Sequence, residues 1–198
     1  MAGRTTAGMV ARESDPDELA RGDEAPDFEL PGTDGEHHSL ADFADHDALL
    51  VVFTCNHCPY AKAKFGTMNA IAEEYESVAV VGINPNDAEE YPEDSFERMV
   101  EYVESGEIDI TAYLRDESQA VAEAYGAVCT PDPFLFRNDD DVFRLAYHGR
   151  FDDALNPDEE PSEEPGFEMR AAIEAVLAGE EPTDEFRPSR GCSIKWRE

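Results

Sequence analysis

At 198 residues, the chain suits one domain that can close a hydrophobic core without disulfides or metals as staples, so its four cysteines are free for chemistry. It has 47 acidic and 15 basic residues, twelve of the latter arginine, and the formal charge of -32 excludes nucleic acid and anionic membrane as partners. No apolar stretch approaches the roughly 18 residues of a membrane span, and the N-terminal MAGRTTAGMVARESDPDE lacks a signal peptide's apolar middle, so a cytoplasmic location is expected.

Residues 1–22, rich in Ala, Arg, Asp and Glu without a period, read as a mobile acidic tail. A domain over 23–180 begins near APDFELPGTDGEHHSLADF, where Phe28 and Leu30 alternate with polar residues and GTDGE supplies a turn; a short strand and hairpin are predicted, with His37 and His38 as surface residues of the turn. Leu49 to Phe53 is an apolar run of buried-strand type. From Cys58 to Tyr75 the apolar positions Phe65, Met68, Ile71, Ala72 and Tyr75 recur at helical spacing. Val78 to Ile83 is a second buried strand. After the loop NPNDAEEYPED comes a helix with Phe96, Met99, Val100 and Val103 inward, then a strand over 110–114 and a helix over 117–125 that Gly126 terminates.

This alternation implies an α/β fold, a parallel or mixed sheet covered on both faces. PFLF and VFRLAYHG around the turn NDDD form a hairpin, NPDEEPSEEPG is a solvated loop, and Phe167 to Leu177 is a last amphipathic helix. Residues 181–198 form an extension packed on the domain. Periodic apolar blocks distinguish the chain from a disordered acidic protein. A carboxylate-covered surface suits a halophilic, salt-rich cytoplasm, because the Debye length falls to about 3 Å at 1 M.

The chemistry-bearing stretch is FTCNHCPY, directly after the first buried strand. A helix starting at the second cysteine points unpaired amides toward both sulfurs and favours thiolate over thiol. Cysteines so placed titrate at roughly 3.5 to 7.5 rather than near 8.5. Cys55 is then the exposed attacker and Cys58 the deeper resolver, the two forming a reversible disulfide, while a positive His57 between them stabilises the Cys55 thiolate.

The stretches APDFELPGTDG, VVFTCNHCPYAK, INPNDAEEYPED, DESQAVAEAYGAVCTPDPFLF and GCSIKW together resemble the peroxiredoxin-like branch of the thioredoxin superfamily, the redoxin or AhpC/TSA-type proteins. The resemblance runs from about Glu24 to Trp196. It implies a thioredoxin-like fold, a central mixed β-sheet with helices on both faces. It also implies redox-active Cys55 and Cys58, with Pro131 as the cis-proline packed against them and Cys129 near the same pocket or simply a small buried hydrophobe. Substrates would be protein or small-molecule disulfides and thiols, with a separate reductant, no cofactor, no metal, and a monomer or homodimer.

Two departures rank dithiol exchange above antioxidant peroxidase chemistry. Peroxiredoxins of this branch carry Pro-x-x-x-Thr-x-x-Cys, and with Cys58 in the peroxidatic place Val51 replaces the proline and Cys55 the threonine. Thr130 and Pro131 stand where the active-site arginine is found. The alternative is a peroxidase in which a Cys58 sulfenic acid condenses with Cys55 or Cys129. A further alternative is a copper or zinc-binding thiol protein using Cys55, Cys58 and a histidine, although no second ligand pair lies near Cys129 or Cys192. Cys192 reads as an apolar plug that, with Ile194 and Trp196, anchors the extension, in preference to a distal resolving cysteine.

Overall fold

The two apolar runs become the central strands of a five-stranded mixed sheet. The computed structural model describes residues 10–198. In chain order its elements are β1 (Ala11–Glu13), β2 (Glu29–Pro31), β3 (His37–Ser39), β4 (Ala48–Phe53), α1 (Pro59–Lys62), α2 (Phe65–Glu74), β5 (Val78–Asn84), α3 (Phe96–Glu104), β6 (Ala112–Arg115), α4 (Ala120–Tyr125), β7 (Cys129–Thr130), β8 (Asp132–Asp139), β9 (Val142–His148), α5 (Phe167–Leu177) and β10 (Arg190–Ser193). Strand order in the main sheet is β6-β5-β4-β8-β9, with β4, β5 and β6 parallel and β8 and β9 antiparallel. This is the thioredoxin-like arrangement expected from the sequence.

Every residue of β4 and β5 is buried, as strands covered on both faces must be. The period of two divides β4 between two cores. Leu49, Val51 and Phe53 pack with Phe134, Phe136 and Tyr125 beneath α4. Leu50 and Val52 pack on the opposite face with Met68 and Ile71 of α2 and Met169 and Ile173 of α5. A third cluster lies at the C-terminal end of β4, where Cys55, Cys58 and Cys192 meet Ala61, Phe65, Met99 and Tyr113.

Several local expectations need correction. The single helix read from Cys58 to Tyr75 is broken into α1 and α2, because the Lys64 amide bonds the Ala61 carbonyl and its ammonium reaches Asp152, 2.6 Å away. Helix α4 starts later than read, since Gln119 takes a left-handed conformation before it; Gly126, with φ +70°, ends it as expected. His37 and His38 lie in β3 instead of the turn, and Phe96 is exposed at the first position of α3.

The termini differ most. Val10 to Gly22 fell within the expected mobile tail, but β1 pairs antiparallel with β10 and Ser14 is buried, exchanging hydrogen bonds with Ser189. The remainder of that expected tail lies outside the described residues. In the C-terminal extension, β10 is the middle strand of a second sheet, β1-β10-β7. Ile194 is buried as an anchor, whereas Trp196 remains exposed. Among the described residues, no helix is long and apolar enough to cross a membrane.

Candidate active site

Where β4 ends, the chain turns through Thr54 to His57 and enters α1 with Cys58 as the residue ahead of its first turn. A polar cradle fixes this loop. The Asn56 amide donates to Asp94 Oδ1 at 2.7 Å, the Asn56 side chain donates to the Glu93 carbonyl at 3.0 Å, and the Tyr113 hydroxyl donates to Asn56 Oδ1 at 2.8 Å. Asp94 is fully buried in a short 3-10 turn, Pro92–Asp94, just before α3. Besides Asn56 it accepts from Asn86 Nδ2 at 2.9 Å, from Asn84 Nδ2 at 3.4 Å and from His57 Nδ1 at 2.5 Å. Burial pushes the Asp94 carboxyl up, but the His57 and Asn86 hydrogen bonds and the nearby His57 outweigh it and hold the group below its ordinary value.

An ionised carboxylate only accepts, so His57 Nδ1 carries the proton of this hydrogen bond. The His57 ring stacks on Tyr91 with centroids 5.6 Å apart. One His57 ring nitrogen, one Asp94 oxygen and Cys55 Sγ lie within 4.8 Å of one another. The amides of Cys58 and His57 point at the Cys55 sulfur, and Thr130 Oγ1 makes a hydrogen bond with it at 3.4 Å.

The first correction at the site concerns Cys55. It is buried with a free thiol, not an exposed attacker, and burial together with the Asp94 charge pushes that thiol up to about 12 despite the two amides. The second concerns pairing. Cys58 is joined to Cys192, not to Cys55, with Cα atoms 6.3 Å apart, inside the usual range for a bridge. The register explains the partner, because Cys192 of β10 lies opposite Thr130 of β7, whose carbonyl oxygen is 3.6 Å from Cys58 Sγ. Gly191 permits the approach, since a Cβ there would sit 1.9 Å from the Thr130 oxygen. Cys192 is thus more than the apolar plug read from the sequence.

The Thr130–Pro131 peptide bond is cis, the isomer expected at that position. Cys129 is buried and free on β7, its thiol donating to the Pro131 carbonyl at 3.7 Å; burial pushes it well above its ordinary value, and Asp132 adds to the rise. The sequence reading missed Asp94, Asn56, Asn84, Asn86 and Tyr113. A signal existed in NPNDAEEYPED, a polar loop straight after a buried strand, but only the fold brings its last residue under the cysteine loop.

The AhpC/TSA family model matches residues 21–144. Nothing among curated proteins matches the chain. Among solved structures, it is similar to an uncharacterized conserved protein from Geobacillus kaustophilus, at 39% identity over 96% of this chain and 98% of that one, with a TM-score of 0.87. A hypothetical protein from Sinorhizobium meliloti 1021 shares 41% identity over 93% and 98% of the two chains, with a TM-score of 0.85. The fold alone is shared with a proposed thiol:disulfide interchange protein DsbE from Chlorobium tepidum, at 21% identity, a TM-score of 0.57, and 81% and 97% coverage.

Proposed function

The chain belongs to the AhpC/TSA family of thioredoxin-like redoxins, and we propose that it is a thiol–disulfide oxidoreductase whose working couple is Cys58 with Cys192. The observation that carries this reading is the Cys58–Cys192 bridge at the start of α1, beside the cis Thr130–Pro131 bond. The exchange has two steps. The Cys58 thiolate attacks one sulfur of a substrate disulfide and expels the other as a thiolate; Cys192 thiolate then attacks Cys58 Sγ and expels the second substrate sulfur. The substrate gains two electrons, Cys58 and Cys192 lose them, and an external dithiol reductant restores the pair.

Burial shapes the kinetics. Cys58 and Cys192 are both covered, with Pro59 exposed and His57 and Tyr60 half-buried beside them, so substrate access requires β10 or the α1 entry to open. A cytoplasmic, salt-rich setting fits the charge of -32.

The test is reduction of insulin or oxidised glutathione by the reduced protein, with the product mapped by mass spectrometry. A Cys58–Cys192 peptide should form in step with substrate reduction, Cys58→Ser should abolish turnover, and Cys192→Ser should lower it. Full turnover by Cys58→Ser would refute the assignment.

A second reading, thiol-dependent peroxidase, is favoured by one observation: Cys58 in the peroxidatic place is bridged to a cysteine 134 residues away, as a peroxidatic cysteine is to a distal resolving one. Against it, the Thr130 hydroxyl is engaged with Cys55, so it does not stand in for the missing threonine beside Cys58. Single-turnover consumption of hydrogen peroxide by the reduced protein separates the two readings.

A further inference from the structure

The charges around the bridge run against those of the rest of the molecule. The chain has three lysines against 47 acidic residues, and all three lie on or next to the elements that carry the bridged cysteines. Lys62 is on α1, Lys64 just after it, and Lys195 just after β10. Lys64 is engaged by Asp152, and arginines elsewhere, Arg98, Arg137, Arg144 and Arg150 among them, are ion-paired with carboxylates. Among the described residues, the exposed or half-buried Lys and Arg side chains without an ion pair are Lys62, Lys195, Arg12 of β1 and Arg190 of β10.

Two of these are built into the site. The Lys62 amide donates to the Cys58 carbonyl at 2.9 Å, so its side chain leaves α1 one helical turn beyond Cys58. Its ammonium lies 5.4 Å from the centre of the Tyr102 ring. A hydrogen bond with Tyr102 raises the Lys62 pKa above its ordinary value, with Glu107 and Cys55 adding through space. Lys195 is tied to the cradle under His57. Its amide donates to Asn86 Oδ1 at 2.9 Å, and Asn86 Nδ2 donates to Asp94 at 2.9 Å. Its carbonyl accepts from the Asp87 amide and the Gln119 side chain. From this fixed backbone the ammonium donates to the hydroxyl of Ser193, the neighbour of Cys192, at 3.2 Å. It also lies 5.7 Å from the centre of Tyr91, the ring stacked on His57.

We propose that Lys62 and Lys195 select the substrate of the exchange: a small disulfide whose ends carry carboxylates, held by the two ammoniums as its sulfurs meet Cys58. The inference rests on the thiol–disulfide reading above and names its substrate class; no step of the exchange changes. Range favours a small ligand over an acidic protein. At about 0.15 M salt, charges are screened beyond roughly 8 Å. A compact dianion at the bridge therefore responds to the lysines, whereas an acidic protein would press its own carboxylates against those of the surrounding surface. A basic protein would be drawn by the net charge of -32 but would meet ammoniums at the point of reaction.

The experiment compares three small disulfides of similar length with the reduced full-length protein at pH 7 and about 0.15 M salt. Dithiodipropionate is a dianion, bis-hydroxyethyl disulfide is neutral, and cystamine is a dication. Each single-turnover rate constant for oxidation of the protein is divided by that of dithiothreitol with the same disulfide, which removes the intrinsic reactivity of the sulfurs. Net charge alone ranks cystamine first. The two lysines rank dithiodipropionate first, at least about fivefold above the neutral disulfide, and Lys62→Gln with Lys195→Gln should bring that ratio down to about one. Lys62→Arg with Lys195→Arg should keep it. Arg144→Gln, which removes a cation from the outermost strand β9, should leave it unchanged.

The proposal is overturned if wild type does not rank dithiodipropionate first, or if the double glutamine variant keeps the wild-type ratio. A fall of all three rates by one factor in that variant also overturns it, since the lysines would then support the Cys58 thiolate instead of binding substrate. Failure of all three disulfides to oxidise the wild-type protein would instead sink the thiol–disulfide reading itself.

Discussion

Two Asp–His pairs with buried carboxylates, one beside the free cysteine Cys55 and one near the free cysteine Cys129, behave differently. Asp94 and His57, next to Cys55, are joined at 2.5 Å, and Asp94 receives three further donors. Asp132 and His148, near Cys129, are joined at 2.7 Å, but Asp132 Oδ2 and His148 Nδ1 are buried without a partner, and His148 is stacked on Phe134 with centroids 4.0 Å apart. The consequence is electrostatic. Asp94 is held below its ordinary value, whereas at Asp132 burial outweighs the His148 hydrogen bond and pushes the carboxyl up. The same residue types therefore make an ionised carboxylate that orients a histidine in one place and a packed polar plug in the other. What decides is the number of donors aimed at the carboxylate.

The largest effect that could break this comparison is removal of the better-satisfied carboxylate. Asp94→Ala strips the partners from Asn56, Asn86 and His57 and should cost about 3 to 5 kcal/mol in urea unfolding at pH 7, the range for breaking a buried pair. Asp132→Asn should cost about 1 kcal/mol, since it leaves a hydrogen-bonding side chain at a site that already disfavours charge. Equal losses would mean that the two pairs are energetically alike.

The pH dependence sharpens the contrast because the two signs are opposite. A carboxyl lowered on folding contributes stability that is complete above its unfolded value, near 3.8, and is lost as pH falls through the lower folded value. A carboxyl raised on folding makes the protein lose stability as pH climbs from about 3.8 to the higher folded value. Asp94→Asn should therefore flatten the loss of stability below pH 4, and Asp132→Asn should flatten a loss on raising pH above 4. Identical pH slopes in the two variants would erase the distinction.

How much of this could be read from the chain follows from the range of each interaction. Leu49 to Phe53 and Val78 to Ile83 signal buried strands through their own composition, and Phe167 to Leu177 signals a helix through its period, so β4, β5 and α5 appear close to where they were predicted. Cys55, His57 and Cys58 are legible for the same local reason. Asp94 is not, because its value to the site comes from parallel strands that lay the loop after β5 beneath the loop after β4, a placement set by register. The bridge from Cys58 to Cys192 is not legible because the two-residue spacing points to Cys55, whereas it is the antiparallel pairing of β10 with β7 that brings Cys192 to Cys58.

A smaller effect is expected from Gly191→Ala. Its Cβ would meet the Thr130 carbonyl, so β10 must shift away from β7; the Cys58–Cys192 bridge should form more slowly on oxidation while the main sheet keeps its far-UV circular dichroism. Unchanged bridge formation would show that the strand pairing does not set the cysteine partner. The smallest effect belongs to Cys129→Ala, a loss of about 1 kcal/mol from trimming a buried sulfur, with disulfide turnover intact. Loss of turnover would bring Cys129 into the redox chemistry and remove the difference between the two pairs.

The central claim, that Cys58 is bridged to the C-terminal strand, is tested most directly by non-reducing peptide mapping of oxidised protein trapped with N-ethylmaleimide in denaturant at pH 5. The account predicts a Cys58–Cys192 peptide in most molecules, with Cys55 and Cys129 alkylated. Cys192 alkylated throughout, with Cys55 bridged to Cys58 as the sole disulfide, would contradict it.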